Sequence, residues 1–395
     1  MIQKAITQLQ REDFDRLVAD RVQEGNQLDF KQALVGSTDA DKKKFAADVC
    51  AFANTRGGDI VIGVRETRGV AVEVVPLAMD PDQETLRLQN MIADSFDPRI
   101  VGVQIAPVAY GDGHVLVVRV PQSVQGLHRS KLDQQFHIRE SRSNRHLDVA
   151  SLITRVDMLR GQRDRRDEFF AQRYAAVLTN RTPVALRAGP KVMVHVFQAH
   201  AAFGADMLDV SPAAAAGAMP VPTLGQGGAD FRMTFEGPMH HTAINDGMTR
   251  GFTLVHHNGV LEGAWKVADL REGRTEVVAE AVETHVLGFV RALIERTRGL
   301  LTFDVPLVVR VALVGAEGAV VVTSNRELRR HFEEDVPLSP IDRTALQLPD
   351  VLVNDWPVAD LAELFRPAFD RLWQASGFLR SYQYQEHNGR FVWQG

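Results

Sequence analysis

With 395 residues, the chain is longer than one hydrophobic core usually organises, so its length predicts two domains. Hydrophobic residues make up 45% and charged residues 24%, as in ordinary globular proteins, and no apolar stretch approaches the ~20 residues of a membrane helix, which argues against a membrane protein. The net charge of −5 argues against a chain that is basic throughout, and the acidic excess lies in the second half, because residues 1–174 carry 25 Lys and Arg against 25 Asp and Glu.

The N-terminus and the cysteine content restrict the cellular location and the metal chemistry. The first residues mix polar and apolar side chains without the apolar core of a signal peptide, so we expect a cytoplasmic protein. Cys50 is the one cysteine, which excludes an internal disulfide and every zinc site built from several cysteines.

The hydrophobic pattern predicts a mixed α/β (α+β) fold in both halves. In the first half it predicts, in chain order, a helix over 11–23, a strand over 28–34, a helix over 39–53, strands over 59–64 and 69–75, a helix over 81–96, a hairpin over 100–121, a strand over 134–140 and a helix over 148–178. In the second half it predicts strands over 191–197, 230–237, 251–257, 259–267 and 305–315, and helices over 275–298 and 358–377. The charged middle of the helix over 148–178 favours a boundary between a domain of residues 1–174 and a domain of residues 175–395.

The segment 51–67, AFANTRGGDIVIGVRET, joins the end of a helix to a buried strand. Asp39 or Asp41 is suited to cap the start of that helix. Asn54 is expected to cap its end, and the Gly57-Gly58 pair to make the turn, because Asn and Gly tolerate the backbone conformations that end helices. Gly63 is expected to let another segment approach the strand.

Three carboxylates are candidates for one site at the edge of the predicted sheet. Glu24 and Asp29 lie five residues apart, and Glu66 follows the end of the DIVIGV strand. Clustered Asp and Glu oxygens are the ligands of a hard cation that assists phosphodiester cleavage. Spacing alone leaves open the alternative that all three are solvated surface charges.

The blocks EGNQLDFK, AFANTRGGDIVIGV and FHIRESRSNRHL resemble, in order and spacing, those of the Schlafen AlbA-like domain, over residues 10 to 160. The resemblance implies a bacterial nucleic-acid-binding protein with a mixed sheet and flanking helices, followed here by a second mixed α/β domain. It further implies a Mg²⁺- or Mn²⁺-dependent endoribonuclease of tRNA or other structured RNA that serves antiviral defence. The acids of that nuclease branch fall on Glu24, Asp29 and Glu66, with Asp in place of Glu at 29 and Glu in place of Asp at 66.

The resemblance also implies roles for cationic residues. Lys31 is expected to offset phosphate charge in catalysis, although a strand lysine that protects a sheet edge is an equal alternative. The cationic segment 128–146 is expected to contact the sugar-phosphate backbone, which gives binding that weakens with salt. The expected contacts are Arg129, Lys131, His137, Arg139 and Arg142.

The sequence leaves several alternatives open. A noncatalytic DNA- or RNA-binding transcriptional regulator, with structural carboxylates, competes with the nuclease. The family also implies ATP binding in some members. The family's zinc site is excluded by the single cysteine. Only one lobe of the family's groove is present, so we expect a homodimer or a contribution from the second domain, whose expected role is sensing, substrate positioning or oligomerisation.

Overall fold

The computed structural model describes residues 2, 4, 6–123, 126–199, 209–215, 219–221, 229–271, 273–298, 300–301, 305–334, 338–354, 356–358, 360–387 and 390–394. Two compact units, Met1–Gly161 and Gln162–Gly395, make up the chain. The division falls inside the helix Val149–Leu178. Within the described ranges, every helix is too short or too polar to cross a membrane.

The N-terminal unit contains helices on both sides of a small mixed sheet. Its helices are α1 Arg11–Ala19, α2 Asp39–Ala53, α3 Pro81–Ser95 and the start of α4 Val149–Leu178. Its strands are β1 Leu28–Lys31, β2 Gly58–Ile62, β3 Val64–Thr67, β4 Val70–Val74, β5 Phe96–Asp97, β6 Gln104–Tyr110, β7 Gly113–Val120, β8 Arg129–Ser130, β9 His137–Glu140 and β10 Ser143–His146.

In the sheet β1-β2-β7-β6, the two central strands β2 and β7 are buried on both faces. Strand β1 runs parallel to β2, and the other neighbours are antiparallel. Successive side chains of β2 point to opposite faces. Ile60 and Ile62 pack in one core cluster with Phe52 of α2, whereas Val61 packs in another with Phe14 of α1. This two-sided burial explains why DIVIGV reads as a continuous apolar run.

The predicted helix over 11–23 is wrong at its C-terminal end, because α1 stops at Ala19. Arg21 has a left-handed φ of 50°, and the N–H groups of Arg21 and Val22 donate to the carbonyls of Val18 and Leu17. This is a Schellman motif with Arg in the place that Gly usually takes. Val22 then pairs with the start of β4, since its carbonyl accepts from the N–H of Ala71.

The AFANTRGG segment forms a tight turn from α2 into β2. Gly57 has a φ of 67°, and a Cβ there would lie 2.7 Å from the carbonyl oxygen of Val120. The predicted strand breaks at Gly63, with a φ of 105°, and the chain leaves the sheet as the β3–β4 hairpin. At the other end, Thr38 and not Asp39 or Asp41 caps α2, its Oγ1 accepting from the N–H of Asp41.

Asn54 occupies the C-cap of α2 with helical dihedrals and uses its side chain to join three segments. Its Nδ2 donates to the carbonyls of His128 and His137, both at 2.9 Å, and its Oδ1 accepts from the N–H of His128 at 2.8 Å. One turn earlier, the buried Cys50 thiol donates to the same His128 carbonyl at 3.2 Å. Burial raises the pKa of Cys50 to about 11.

The C-terminal unit is built on a larger, mostly antiparallel sheet. Its strands are β11 Ala185–Leu186, β12 Lys191–Gln198, β13 Ala229–Met233, β14 Pro238–Thr242, β15 Met248–Thr249, β16 Gly251–Val255, β17 Leu261–Lys266, β18 Ala268–Arg271, β19 Arg274–Val278, β20 Leu307–Val314, β21 Val320–Val322, β22 Ala345–Gln347, β23 Val351–Val353, β24 Tyr384–His387 and β25 Arg390–Trp393. Its helices, besides the end of α4, are α5 Ser211–Ala215, α6 Ala279–Arg298, α7 Arg326–Glu334 and α8 Leu361–Gln374.

The main sheet follows the order β13-β14-β16-β17-β12-β20-β22, with β23 also paired to β20. A fully buried carboxylate, Glu262 of β17, lies under the C-terminal half of α4. Arg173 donates to both of its oxygens at 2.8 and 2.9 Å, and the Nε2 atoms of His195 and His256 lie 3.1 and 3.2 Å from its Oε2. Burial opposes the charge of Glu262, but the charge of Arg173 and the hydrogen bonds from His195, His256 and Arg173 together outweigh it and hold the pKa of Glu262 well below its usual range.

Glu283 of α6 is a second buried carboxylate, with a different environment. Its oxygens accept from Trp373 Nε1 at 2.6 Å, Ser381 Oγ at 2.7 Å and Trp393 Nε1 at 3.2 Å. None of these donors carries a charge, so burial dominates and raises the pKa of Glu283 to about 7.

We predict that Glu283 makes the C-terminal unit less stable as the pH rises. Its pKa in the folded state lies above its ordinary value, so its contribution is complete below pH ~4.5 and is lost as the pH approaches 7, by up to about 3 kcal/mol. Glu283→Gln keeps an acceptor for the indole groups and removes the titration. Urea denaturation at pH 5 and pH 8 should show a larger fall in stability for the wild type than for the variant. Equal falls would contradict the prediction.

Candidate nucleic-acid interface

A buried network of two carboxylates and two cations lies on one side of β1. Asp29 and Lys31 are two residues apart on this strand and point to the same face. Lys31 Nζ lies 2.6 Å from Asp29 Oδ2 and 2.9 Å from Asp48 Oδ2, while Arg139 Nη2 donates to Asp29 Oδ1 at 2.7 Å. The charges of the four side chains cancel, which lets Asp29, Asp48 and Arg139 lie buried, whereas Lys31 is partly exposed.

Neighbouring groups hold this network in place. Asn144 of β10 donates to Asp48 Oδ1 at 2.6 Å, and the guanidinium of Arg139 lies over the ring of Phe52, 5.1 Å from its centroid. Burial raises the pKa of Asp48, and Lys31 opposes that shift. Burial also disfavours the charge of Lys31, but Asp48 and Asp29 outweigh it and raise the pKa of Lys31. The network therefore ties β1 to α2 and to the β9–β10 hairpin.

A second group of charged residues meets at the turn between β3 and β4, and we call Glu24, Glu66, Arg68, Gly69 and Arg142 the Gly69 corner. The N–H of Glu24 donates to the Gly69 carbonyl at 2.7 Å, and Glu66 Oε2 accepts from the Gly69 N–H at 2.5 Å. Arg142 Nη1 donates to the Arg68 carbonyl at 2.7 Å. The side chains of Arg68 and Arg142 are exposed, so the corner presents two guanidinium groups beside two carboxylates.

Glu24 connects the Gly69 corner to the edge of the sheet. Its Oε1 accepts from the N–H of Phe30 at 2.9 Å, which satisfies a backbone donor on the edge strand β1. Burial raises the pKa of Glu24, the hydrogen bond from Phe30 opposes the shift, and the charges of Asp29 and Glu66 raise it further. Asp29 and Glu66 are thus both close enough to Glu24 to act on its charge.

The three acids do not fit a metal site in their present arrangement. Both oxygens of Asp29 face cations, Lys31 and Arg139, and an oxygen of Glu66 is held by the Gly69 backbone. Within the described ranges, no group of three or more His, Cys, Asp or Glu side chains is placed to hold a metal ion. Ligation by Asp29 would require this carboxylate to leave two ion pairs.

The predicted phosphate contacts separate into buried and accessible residues. Arg139 is 4% exposed and belongs to the buried network, and His137 is 9% exposed with its Nε2 at 2.7 Å from Asp133 Oδ2. Lys131 and Arg142 are exposed, and Arg129 is partly exposed beside Asp97 at 3.4 Å. Of the five, therefore, Arg129, Lys131 and Arg142 offer cationic groups to solvent.

Sequence reasoning missed Asp48, Asn144 and Arg68. Asp48 could have been found from the sequence, because it lies on the same helix face as Phe45 and Phe52. An acid on such an apolar face needs a buried partner. Asn144 and Arg68 had none, since each acts through a contact made far along the chain, Asn144 with Asp48 and Arg68 with Arg142.

A family model matches part of the N-terminal unit. Residues 24–148 match the family model "Schlafen, AlbA_2". The match supports a nucleic-acid-binding domain in this part of the chain. No curated protein matches the chain.

Two solved structures are similar to parts of the chain. One is the DIP2311 protein from Corynebacterium diphtheriae, with 19% identity, a TM-score of 0.24, and coverage of 31% of this chain and 22% of that one. The other is the N-terminal domain of a RecG-related protein from Nitrosomonas europaea, with 26% identity, a TM-score of 0.24, and coverage of 30% and 74%. The chain therefore spans about a fifth of the length of the Corynebacterium protein.

We predict that Arg139 is required for the stability of the N-terminal unit. Arg139→Met leaves Asp29 and Asp48 buried with a single cation, which should cost about 3–5 kcal/mol in the free energy of unfolding. Arg145→Met is the matched control, because Arg145 lies on the neighbouring strand with its side chain 53% exposed, and it should change stability by less than about 0.5 kcal/mol. Urea denaturation followed by circular dichroism measures both. Similar losses in the two variants would refute a structural role for the network.

Proposed function

We propose that the N-terminal unit, whose residues 24–148 match the "Schlafen, AlbA_2" family model, binds nucleic acid by its phosphate backbone at the Gly69 corner, without a requirement for a metal ion. The observation that carries this proposal is the contact between two exposed arginines, in which the Arg142 guanidinium donates to the backbone carbonyl of Arg68. Guanidinium groups suit phosphate oxygens because they present several N–H donors in one plane.

The arrangement of the acids supports binding in preference to cleavage. Asp29 neutralises Lys31 and Arg139, so its charge stabilises the fold and is not offered to a ligand. Glu66 supports the turn that carries Arg68, since it accepts from the N–H of the next residue, Gly69. On this proposal the carboxylates shape the interface, and exposed arginines contact the phosphates. RNA is the first target class to test, on the strength of the resemblance to nucleases of tRNA and rRNA, and a transcriptional regulator that binds DNA is the alternative.

We predict that Arg68→Ala/Arg142→Ala weakens binding to all sequences alike. Each lost phosphate contact should lower the slope of log affinity against log salt by about 1. Fluorescence anisotropy with a hairpin RNA and with DNA of the same sequence, at several KCl concentrations, measures the slope. Arg160→Ala is the control, because this arginine of the same unit has a side chain 76% exposed and lies outside the Gly69 corner. An unchanged slope in the double variant would exclude the corner as the phosphate site.

A metal-dependent endoribonuclease in antiviral defence is the second candidate function. One observation favours it, namely that both Asp29 and Glu66 act on the pKa of Glu24. Against it stands the engagement of Asp29 with two cations. Predicted ATP binding and a predicted homodimer rest on the resemblance alone.

Cleavage assays separate the two candidates. We expect tRNA, rRNA and DNA to stay intact when they are incubated with the protein in Mg²⁺ or Mn²⁺, and we expect binding to be insensitive to EDTA. Fragments that disappear with EDTA and with Glu24→Gln would instead establish the nuclease. Glu73→Gln serves as the control for an exposed acid, because Glu73 pairs with Arg65 on the outside of the β3–β4 hairpin.

A further inference from the structure

The C-terminal unit contains a pocket of about 330 Å³ at the end of α4. It is lined by Val177, Leu178, Asn180, Leu186, Ala188, Gly189, Lys191, Met248, Val314 and Gly315. Most of these side chains are apolar, and none is acidic. A concave, mainly apolar site with a few polar groups is the usual form of a small-molecule site.

Lys191 is the one charged residue that lines this pocket. It is 9% exposed, and its ammonium makes no ion pair or hydrogen bond with any described residue. The stem of Lys191 is buried while its ammonium stays accessible to solvent, so this cation can reach an anion that enters the pocket. Burial lowers the pKa of Lys191, and the charge of Lys266 lowers it further.

A second lysine strengthens the positive potential at the same place. Lys191 of β12 and Lys266 of β17 are direct cross-strand partners, an arrangement of like charges that destabilises a sheet. They are also the two lysines of the whole C-terminal unit. Lys266 lies 3.5 Å from the exposed Asp269, and its Cε lies 3.4 Å from the position that a Cβ of residue 189 would take. An anion at the pocket would relieve this repulsion.

The polar groups of the pocket are hydrogen-bond donors, which favours an anion that offers only acceptors. Asn180 Oδ1 already accepts from the N–H of Leu186 at 2.9 Å, which leaves its amide hydrogens as donors. Lys191 also supplies only donors. We propose that this pocket binds a small monocarboxylate with an apolar body, its carboxylate on Lys191 and its body against the accessible side chains of Leu178, Ala188 and Met248.

The test compares a charged and a neutral ligand of the same shape on two forms of the full chain. Calorimetry should show that the wild type binds octanoate at least tenfold more tightly than octanamide. Lys191→Met should remove this preference while octanamide binding stays within threefold of the wild type. Because the Lys191 ammonium makes no ion pair or hydrogen bond with any described residue, the variant should fold and melt near the wild-type temperature.

Two further variants locate the site. Met248→Trp fills the pocket without a change of charge and should weaken both ligands at least tenfold. Arg371→Met makes a matching change of charge on the exposed face of α8, outside the pocket lining, and should weaken octanoate no more than threefold. The proposal is overturned if octanoate does not bind, if the wild type binds the two ligands equally, or if Lys191→Met keeps the preference for octanoate.

Discussion

The charge balance around β1 is the constraint on which the N-terminal unit depends. Asp29, Lys31, Asp48 and Arg139 come from a strand, a helix and a hairpin, and each carries a charge that the interior tolerates only beside its partners. The same contacts hold the β9–β10 hairpin against β1 and α2, and the loop that follows this hairpin's first strand delivers Arg142 to the Gly69 corner. The position of the exposed arginines is therefore a consequence of buried electrostatics.

Much of the fold could be predicted from sequence, because it depends on local pattern. The buried strand β2 and the amphipathic helices follow from hydrophobic spacing and turn residues, and the mixed α/β class follows from their order. The errors lie where distant pairing overrides that pattern. Val22 and Gln23 lie in the predicted helix over 11–23 but pair with the start of β4. The predicted helix over 275–298 begins only at Ala279, because Arg274–Val278 forms β19 against β18 and β21.

The sequence predicted which acids meet in the candidate site, but it did not predict the residues that they contact there. The motif blocks bring Glu24, Asp29 and Glu66 to the same region, as the pKa of Glu24 reflects. Their partners could not be read from spacing, because Arg139 meets Asp29 across 110 residues of sequence. A lone acid in a motif looks the same whether it binds a ligand or an arginine. The burial of Arg139 shows that Asp29 binds an arginine, and this burial is visible only in the three-dimensional structure.

The environment of Cys50 has a practical consequence for spectroscopy. The thiol is fully buried, bonded to a backbone carbonyl and held in its unreactive neutral form. A maleimide fluorophore should therefore react with a cysteine introduced on the surface and pass over the native one. Distance measurements by site-specific labelling can start from the natural sequence, with no need to remove its own cysteine.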